Sequence, residues 1–205
     1  MDWNIIRRGS NVIGITTALL LIALSGCGPS LKPFASKDLK GGEGARMAIL
    51  PFDNLSSTQG AGKSMEGLVL IEFLKRSTLK VVDPGEVSAA LSKERIRLAT
   101  SIPKETVRAL GGGLGVGLLM MGTVHQYEMQ SVSGAGAGNI PVIALTLRII
   151  DVESGDIVWA STITRRGNDR EIVFGIGKIQ SLNALAEETA MELAQAFADS
   201  IKKEK

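Results

Sequence analysis

Gly60-Ala61-Gly62-Lys63-Ser64 lies between an apolar run and a helical pattern, where a phosphate-binding loop would lie. Such a loop uses Gly-x-x-x-x-Gly-Lys-Ser, so that bare amides wrap the phosphates and the lysine reaches them. Ser57, however, holds the first glycine position, and six residues separate it from Leu50. Ala144–Asp151 imitates the apolar strand plus aspartate that holds magnesium. Yet Thr146 and Arg148 alternate with its apolar residues and Asp151 opens a turn, as in a half-exposed antiparallel strand. Gly111–Gly117 runs helix, glycines, strand, the reverse of a dinucleotide fingerprint. Those glycines are expected to end a helix and permit close packing. His125, beside Gln126, Tyr127 and Glu128, has no second histidine to complete a site and no nucleophile elbow to serve. Arg165, Arg166 and Arg170, interleaved with Asp169 and Glu171, read as a solvated loop. No catalytic residue, no cofactor site and no metal site is expected, and the chain is not expected to be an enzyme.

Composition supports that reading. In 205 residues, 44% are hydrophobic and 21% charged, too charged for a multi-span membrane protein and too apolar for a disordered chain. Twenty-three basic against 21 acidic side chains give no electrostatic case for nucleic acid. Aromatics at 4% leave little for base stacking. One cysteine and one histidine exclude an internal disulfide and a Cys/His zinc cage.

The elements that would position these residues follow from periodicity. Met47–Leu50 is a short apolar run stopped by Pro51, a buried strand. Ser64 is expected to cap a helix to about Arg76, and Lys80–Val82 forms a second strand. Asp83-Pro84-Gly85-Glu86 combines a cap, a first-turn proline and an acidic residue, opening a helix to about Glu94. Pro103 starts a helix carrying Val107 and Leu110, expected to end at Gly111–Gly113. Strands follow at Leu118–Glu128 and around Ile143–Ile150, with a returning strand at Ile157–Thr164 after the turn Val152–Gly155. Ser181–Lys203 places Leu182, Leu185, Thr189, Leu193, Phe197 and Ile201 on one stripe of a long helix. The expected fold is α/β with an α+β tendency: a mixed sheet of about five strands, order β-α-β-α-α-β-β-β-α, ending in the long helix.

The leader carries a different chemistry. Arg7 and Arg8 precede the uncharged run Val12–Leu24, whose 13 residues would make a helix of about 20 Å, short of the ~30 Å hydrocarbon core. A basic region, an apolar region of this length and small residues after it describe a secretory signal peptide. A tilted signal anchor is the alternative, but Ser-Gly-Cys-Gly-Pro-Ser is poor hydrocarbon and poor helix. Leu24-Ser25-Gly26-Cys27 resembles the bacterial lipobox, a pattern that implies cleavage before Cys27 and acylation of its thiol. Gly28 in place of aspartate implies, by the same pattern, the outer membrane. The expected organisation is residues 1–26 as signal peptide, 27–45 as lipidated cysteine and flexible tether, and 46–205 as one periplasmic domain.

Four blocks then resemble one family. Met47–Leu55 is similar to the opening strand of curli-secretion (CsgG-like) lipoproteins and their relatives, the TolB N-terminal-like domains and the LpoB-type activators of penicillin-binding proteins. Lys80–Asp83 with Leu91–Arg95, Gly115–Val124, and Leu147–Trp159 match further family segments in order and spacing. The resemblance implies a non-enzymatic envelope lipoprotein at the periplasmic face of the outer membrane, working in envelope assembly or export with other envelope proteins and as a homo-oligomer. A tethered regulator of an enzyme such as a peptidoglycan synthase is the alternative it implies, and a hydrolase or ligand-binding protein a remote one. The best-known member inserts two hairpins per subunit to make a pore. Here the tip Gly134–Gly138 is short and Arg165–Glu171 carries five charges in seven residues, against the 9–11 alternating residues of a membrane strand. The domain without the pore is expected.

Overall fold

Phe197, on the last helix, faces two aromatic partners, and the elements are most simply placed around it. The computed structural model describes residues 31–39, 44–96, 102–133, 138–172 and 175–202. The chain divides into the units Met1–Ser30 and Leu31–Lys205, and the architecture is that of the second. Its strands are β1 (Phe34–Ala35), β2 (Arg46–Ile49), β3 (Asp53–Asn54), β4 (Lys80–Val81), β5 (Leu118–Val132), β6 (Gly138–Asp151) and β7 (Ile157–Arg166). Its helices are α1 (Ala61–Arg76), α2 (Pro84–Lys93), α3 (Lys104–Leu114) and α4 (Leu182–Lys202). The expected order and mixed α/β class hold, with two additional two-residue strands, β1 and β3.

The strands form one seven-stranded sheet, ordered β1-β7-β6-β5-β2-β4, with β3 also on β5. The β2, β3 and β4 pairings are parallel, and β5-β6-β7 is an antiparallel meander with β1 antiparallel on its far edge. Strand alternation sends Met47 and Ile49 to one face and Ala48 and Leu50 to the other. On the first face, α1 and α4 cover Met120, Leu145, Leu147 and Trp159. On the second, α2 and α3 cover Ala48, Leu50, Leu119 and Met121. Phe197 joins the layers of the first face: its ring centroid lies 5.1 Å from Phe73 of α1 and 5.5 Å from Trp159 of β7, the latter edge-on at 88°. The Trp159 indole donates to Ser200 Oγ at 3.2 Å, so its one polar atom is satisfied inside the core.

Several boundaries move for identifiable reasons. The helix α1 begins at Ala61, so Ser64 lies within its first turn and Gly60, in the left-handed region (φ 79°), takes the cap position. Asn54 causes the shift, since it accepts from Ser56 N and donates to Thr58 O, winding the loop tightly enough to start the helix early. The helix α3 continues through Gly111–Gly113 to Leu114 and ends at Gly115 (φ 64°), because Leu110 and Leu114 are both buried and hold it. Gly111 is required there: a Cβ would lie 2.4 Å from Val152 Cγ2. The cap of α2 is as expected, with Asp83 accepting from Gly85 N at 2.7 Å. Within the stretch read as a tether, Phe34–Ala35 are built into the sheet edge, and Leu39 is buried in the core.

Truncating the aromatic hub removes contacts to two elements at once. Phe197→Ala is expected to destabilise the chain by about 3–5 kcal/mol. Urea unfolding followed by Trp159 fluorescence checks it, and Phe197→Leu should recover part of the loss.

Candidate functional site

Residues of α1 and α4 are brought together at the end of the sheet where β5 passes Tyr127. Lys63, Ser64, Gly67 and Leu68 of α1, Tyr127, and Asn183 and Glu187 of α4 line a cleft of about 420 Å³. The phosphate-loop look-alike thus sits on a cleft wall, but its geometry is structural. Gly62 is buried against the end of the first strand pair, where a Cβ would lie 2.5 Å from Phe52 O. Close approach of helix to backbone accounts for that glycine. The loop before it is spent on internal hydrogen bonds: Thr58 Oγ1 donates to Tyr127 O and Ser57 Oγ to Glu128 Oε2 at 3.1 Å. Gly111–Gly117 likewise serves helix termination and packing, with Val116 N donating to Gly111 O.

Burial shifts two titratable groups at or beside the cleft. Burial pushes the Glu66 carboxyl, one turn below the cleft, above its usual range, opposed by a backbone hydrogen bond from Phe52 and by the Lys63 ammonium. Burial also raises the Tyr127 phenol, whose hydroxyl lies 3.4 Å from Asn183 Oδ1. The cleft can present a lysine, a serine, an amide and a carboxylate to a polar surface.

His125 lies elsewhere, on the opposite face beside a bulge in β5 between Val124 and Gln126. It is exposed, and its Nε2 lies 2.9 Å from Thr146 Oγ1, itself 3.0 Å from Thr162 Oγ1. These are cross-strand polar contacts that reinforce the antiparallel pairing.

Of the three arginines read as a solvated loop, two are organised. Arg165 and Arg170 both pair with Glu192 of α4, and Arg170 also with Glu188. Glu192 is only 14% exposed and Arg165 13%, so this pairing clamps the segment after β7 onto α4. Sequence reasoning could not place that contact, since its partners lie 27 and 22 residues apart. Arg166 reaches Gln130 across the second face. Cys27 and the residues before it, Leu24, Ser25 and Gly26, lie outside the described residues, as does Gly134–Ala137 of the hairpin tip. Among the described residues no helix is long and apolar enough to cross a membrane.

No protein-family model and no curated protein matches the chain. Solved structures do. PelC from Paraburkholderia phytofirmans, solved as a dodecamer, aligns over 82% of this chain and 95% of its own at 17% identity and a TM-score of 0.52. Lipoprotein GNA1162 from Neisseria meningitidis aligns over 73% of this chain and 98% of its own, at 15% identity and a TM-score of 0.52. The C-terminal domain of LpoB from Salmonella enterica aligns over 62% of this chain and 86% of its own, at 11% identity and a TM-score of 0.46. The likeness is one of fold. It shows the fold alone and does not support the curli-secretion resemblance.

Two changes in the first turns of α1 separate packing from chemistry. Gly62→Ala should cost about 1–3 kcal/mol through overpacking against Phe52, whereas Lys63→Ala should stay within about 0.5 kcal/mol and leave nucleotide binding unchanged; thermal melts and titration with labelled ATP read both. The raised Glu66 carboxyl favours its neutral form in the folded state, so it contributes a loss of stability as pH rises from 4.5 through the raised value. Glu66→Gln should flatten that part of the profile in urea midpoints measured from pH 4.5 upward.

Proposed function

We propose that this chain is a lipid-anchored protein of the bacterial cell envelope. Cys27 would hold it at the periplasmic face of the outer membrane, where its domain acts by binding other proteins and not by catalysis. The observation that carries the reading is a combination. The sole cysteine follows an apolar leader in a lipobox-like pattern, and the domain behind it has the fold of a solved lipoprotein at nearly that protein's full length. Several acyl chains on one cysteine would give stable anchoring, where a single chain gives only marginal binding.

Within that role a tethered partner-binding regulator, of a peptidoglycan synthase or another periplasmic enzyme, is preferred to a secretion pore. The part of the β5–β6 hairpin that would have to supply membrane strands carries Gln126, Glu128, Gln130, Ser131 and Asn139. Neither of its sides offers an apolar band of the length a barrel strand needs. A second reading, an oligomeric component of envelope assembly or export, is favoured by the dodecameric state of PelC.

Cys27→Ser should abolish incorporation of labelled palmitate and leave the precursor unprocessed by the lipoprotein peptidase; normal labelling of that variant would sink the anchor. Native mass measurement of the detergent-extracted protein separates the two roles, a monomer supporting the regulator and a closed ring the assembly component.

A further inference from the structure

We infer that the outward side of α1, from Gly67 to Leu74, is the docking face for an amphipathic helix of a partner protein. The inference rests on the partner-binding role proposed above and deepens it by naming the surface and the chemistry of what it holds.

The residues of α1 call for more cover than the fold gives them. Gly67-Leu68-Val69-Leu70-Ile71-Glu72-Phe73-Leu74 contains one charge, and that charge, Glu72, is only 12% exposed and already holds Lys75 and Arg76. Apolar residues therefore run round the whole circumference, the pattern of a helix enclosed by neighbours on more than one side. The domain encloses one side only. Met65, Val69 and Phe73 are buried in the core and Leu68 and Leu70 are partly buried on the flanks, whereas Ile71 and Leu74 stand 48% and 55% exposed.

Gly67, Ile71 and Leu74 follow at i, i+4 and i+7, so they share one outward ridge. Nothing within this chain requires the glycine: a Cβ there would meet no atom within 4 Å. An interior glycine disfavours a helix roughly four- to fivefold against alanine. Beside two exposed aliphatic side chains it forms a notch that lets another backbone approach α1 closely. A helix is the occupant that suits this shape, with one side chain in the notch and its grooves over Ile71 and Leu74.

Charge decides whose helix it is. The cleft between α1 and α4 opens beside Gly67 and carries Lys63 from one helix and Glu187 from the other. Neither has an ion-pair partner among the described residues. A second copy of α1 is a poor match. Packed antiparallel with Ile71 over the other copy's Gly67, it sets Lys63 against Lys75; packed parallel about a twofold axis, it sets each lysine against itself. A partner helix with an apolar stripe and, at the end over the cleft, one acidic and one basic side chain fits both the ridge and the charges.

The test places the photo-crosslinker p-benzoylphenylalanine at position 71, 74, 88 or 162, one at a time, in the full chain expressed with its leader in its own bacterium, and sequences the captured segment. Ser88 of α2 and Thr162 of β7 are exposed positions away from α1. Capture is expected at 71 and 74, on a segment of another protein with apolar residues at i, i+3 or i+4, and i+7 and both charge signs at one end. Gly67→Leu should leave the thermal midpoint of the purified chain unchanged or higher and cut capture at position 74 at least about tenfold. Gly67→Ala should raise the midpoint and cut capture less. Undiminished capture in Gly67→Leu overturns the helix contact. A midpoint lowered by both variants overturns it too, since the chain itself would then need the glycine. So does capture at 71 and 74 of lipid, of a segment without that stripe, or of a second copy of this chain, the last favouring the assembly reading. Capture of protein at 88 or 162 alone overturns the α1 face and leaves partner binding standing. Capture at no position overturns both.

Discussion

The contact of Phe197 with Phe73 and Trp159 is the constraint on which the rest of the domain depends. A sheet with one strand pair parallel and the next antiparallel has no single hydrophobic seam to follow. The two helices on its first face come from distant parts of the chain. Phe197 supplies a shared object that both helices and the meander must fit. Along α4 the residues beside that stripe are small: Ala186, Ala190, Ala194 and Ala198 are all buried. Bulky residues there would hold α1 away, whereas alanines let Phe73 reach the ring. The polar atoms this packing encloses are satisfied locally, Thr189 by Leu185 O and Ser200 by Ala196 O, so the helix interior carries hydroxyls without an unmet hydrogen bond.

The two ends of the meander are secured by different means. At the β6–β7 turn, Asp151 accepts from Ser154 N, Arg108 of α3 donates to Glu153 O, and Lys104 pairs with Asp156. That lysine holds the exposed Asp156 carboxyl below its ordinary range, a local effect on a solvated pair. At the other end, the Arg165–Glu192–Arg170–Glu188 network, mostly shielded from water at Arg165, Glu192 and Glu188 and half-exposed at Arg170, spans two elements and a loop. Partly buried charges of this kind lose much if a partner is removed, so they fix the loop's position relative to α4.

Local chemistry was legible in the sequence wherever the deciding atoms are close in the chain. Asp83-Pro84 opens α2 through a side chain reaching two residues ahead, and the alternation Ile143–Ile149 is the sheet's own period. Elements set by distant contacts were not. Phe34–Ala35 has no pattern that marks a strand, because its pairing comes from an open edge of β7. The glycines Gly111–Gly113 read locally as a stop, yet buried Leu110 and Leu114 on either side carry the helix through. The arginines at and just beyond the end of β7 look alike in sequence; only their distance from Glu188 and Glu192 separates Arg165 and Arg170 from Arg166. Ser64 and Gly62 imitate a nucleotide site for a related reason, since close backbone packing and phosphate cradling both demand a residue without a side chain.

A short tether changes what such a domain can do. If residues 31–39 were coil, the proposed lipid anchor would let the domain sample a wide volume and meet partners at any orientation. Phe34–Ala35 are instead zipped to β7 and Leu39 is in the core, so residues 34–39 would add no free length to the proposed tether. A domain that bound partners, as proposed, would gain specificity from this arrangement. A partner meeting a fixed face does not have to restrict a mobile one, and that loss of freedom is among the main penalties opposing association.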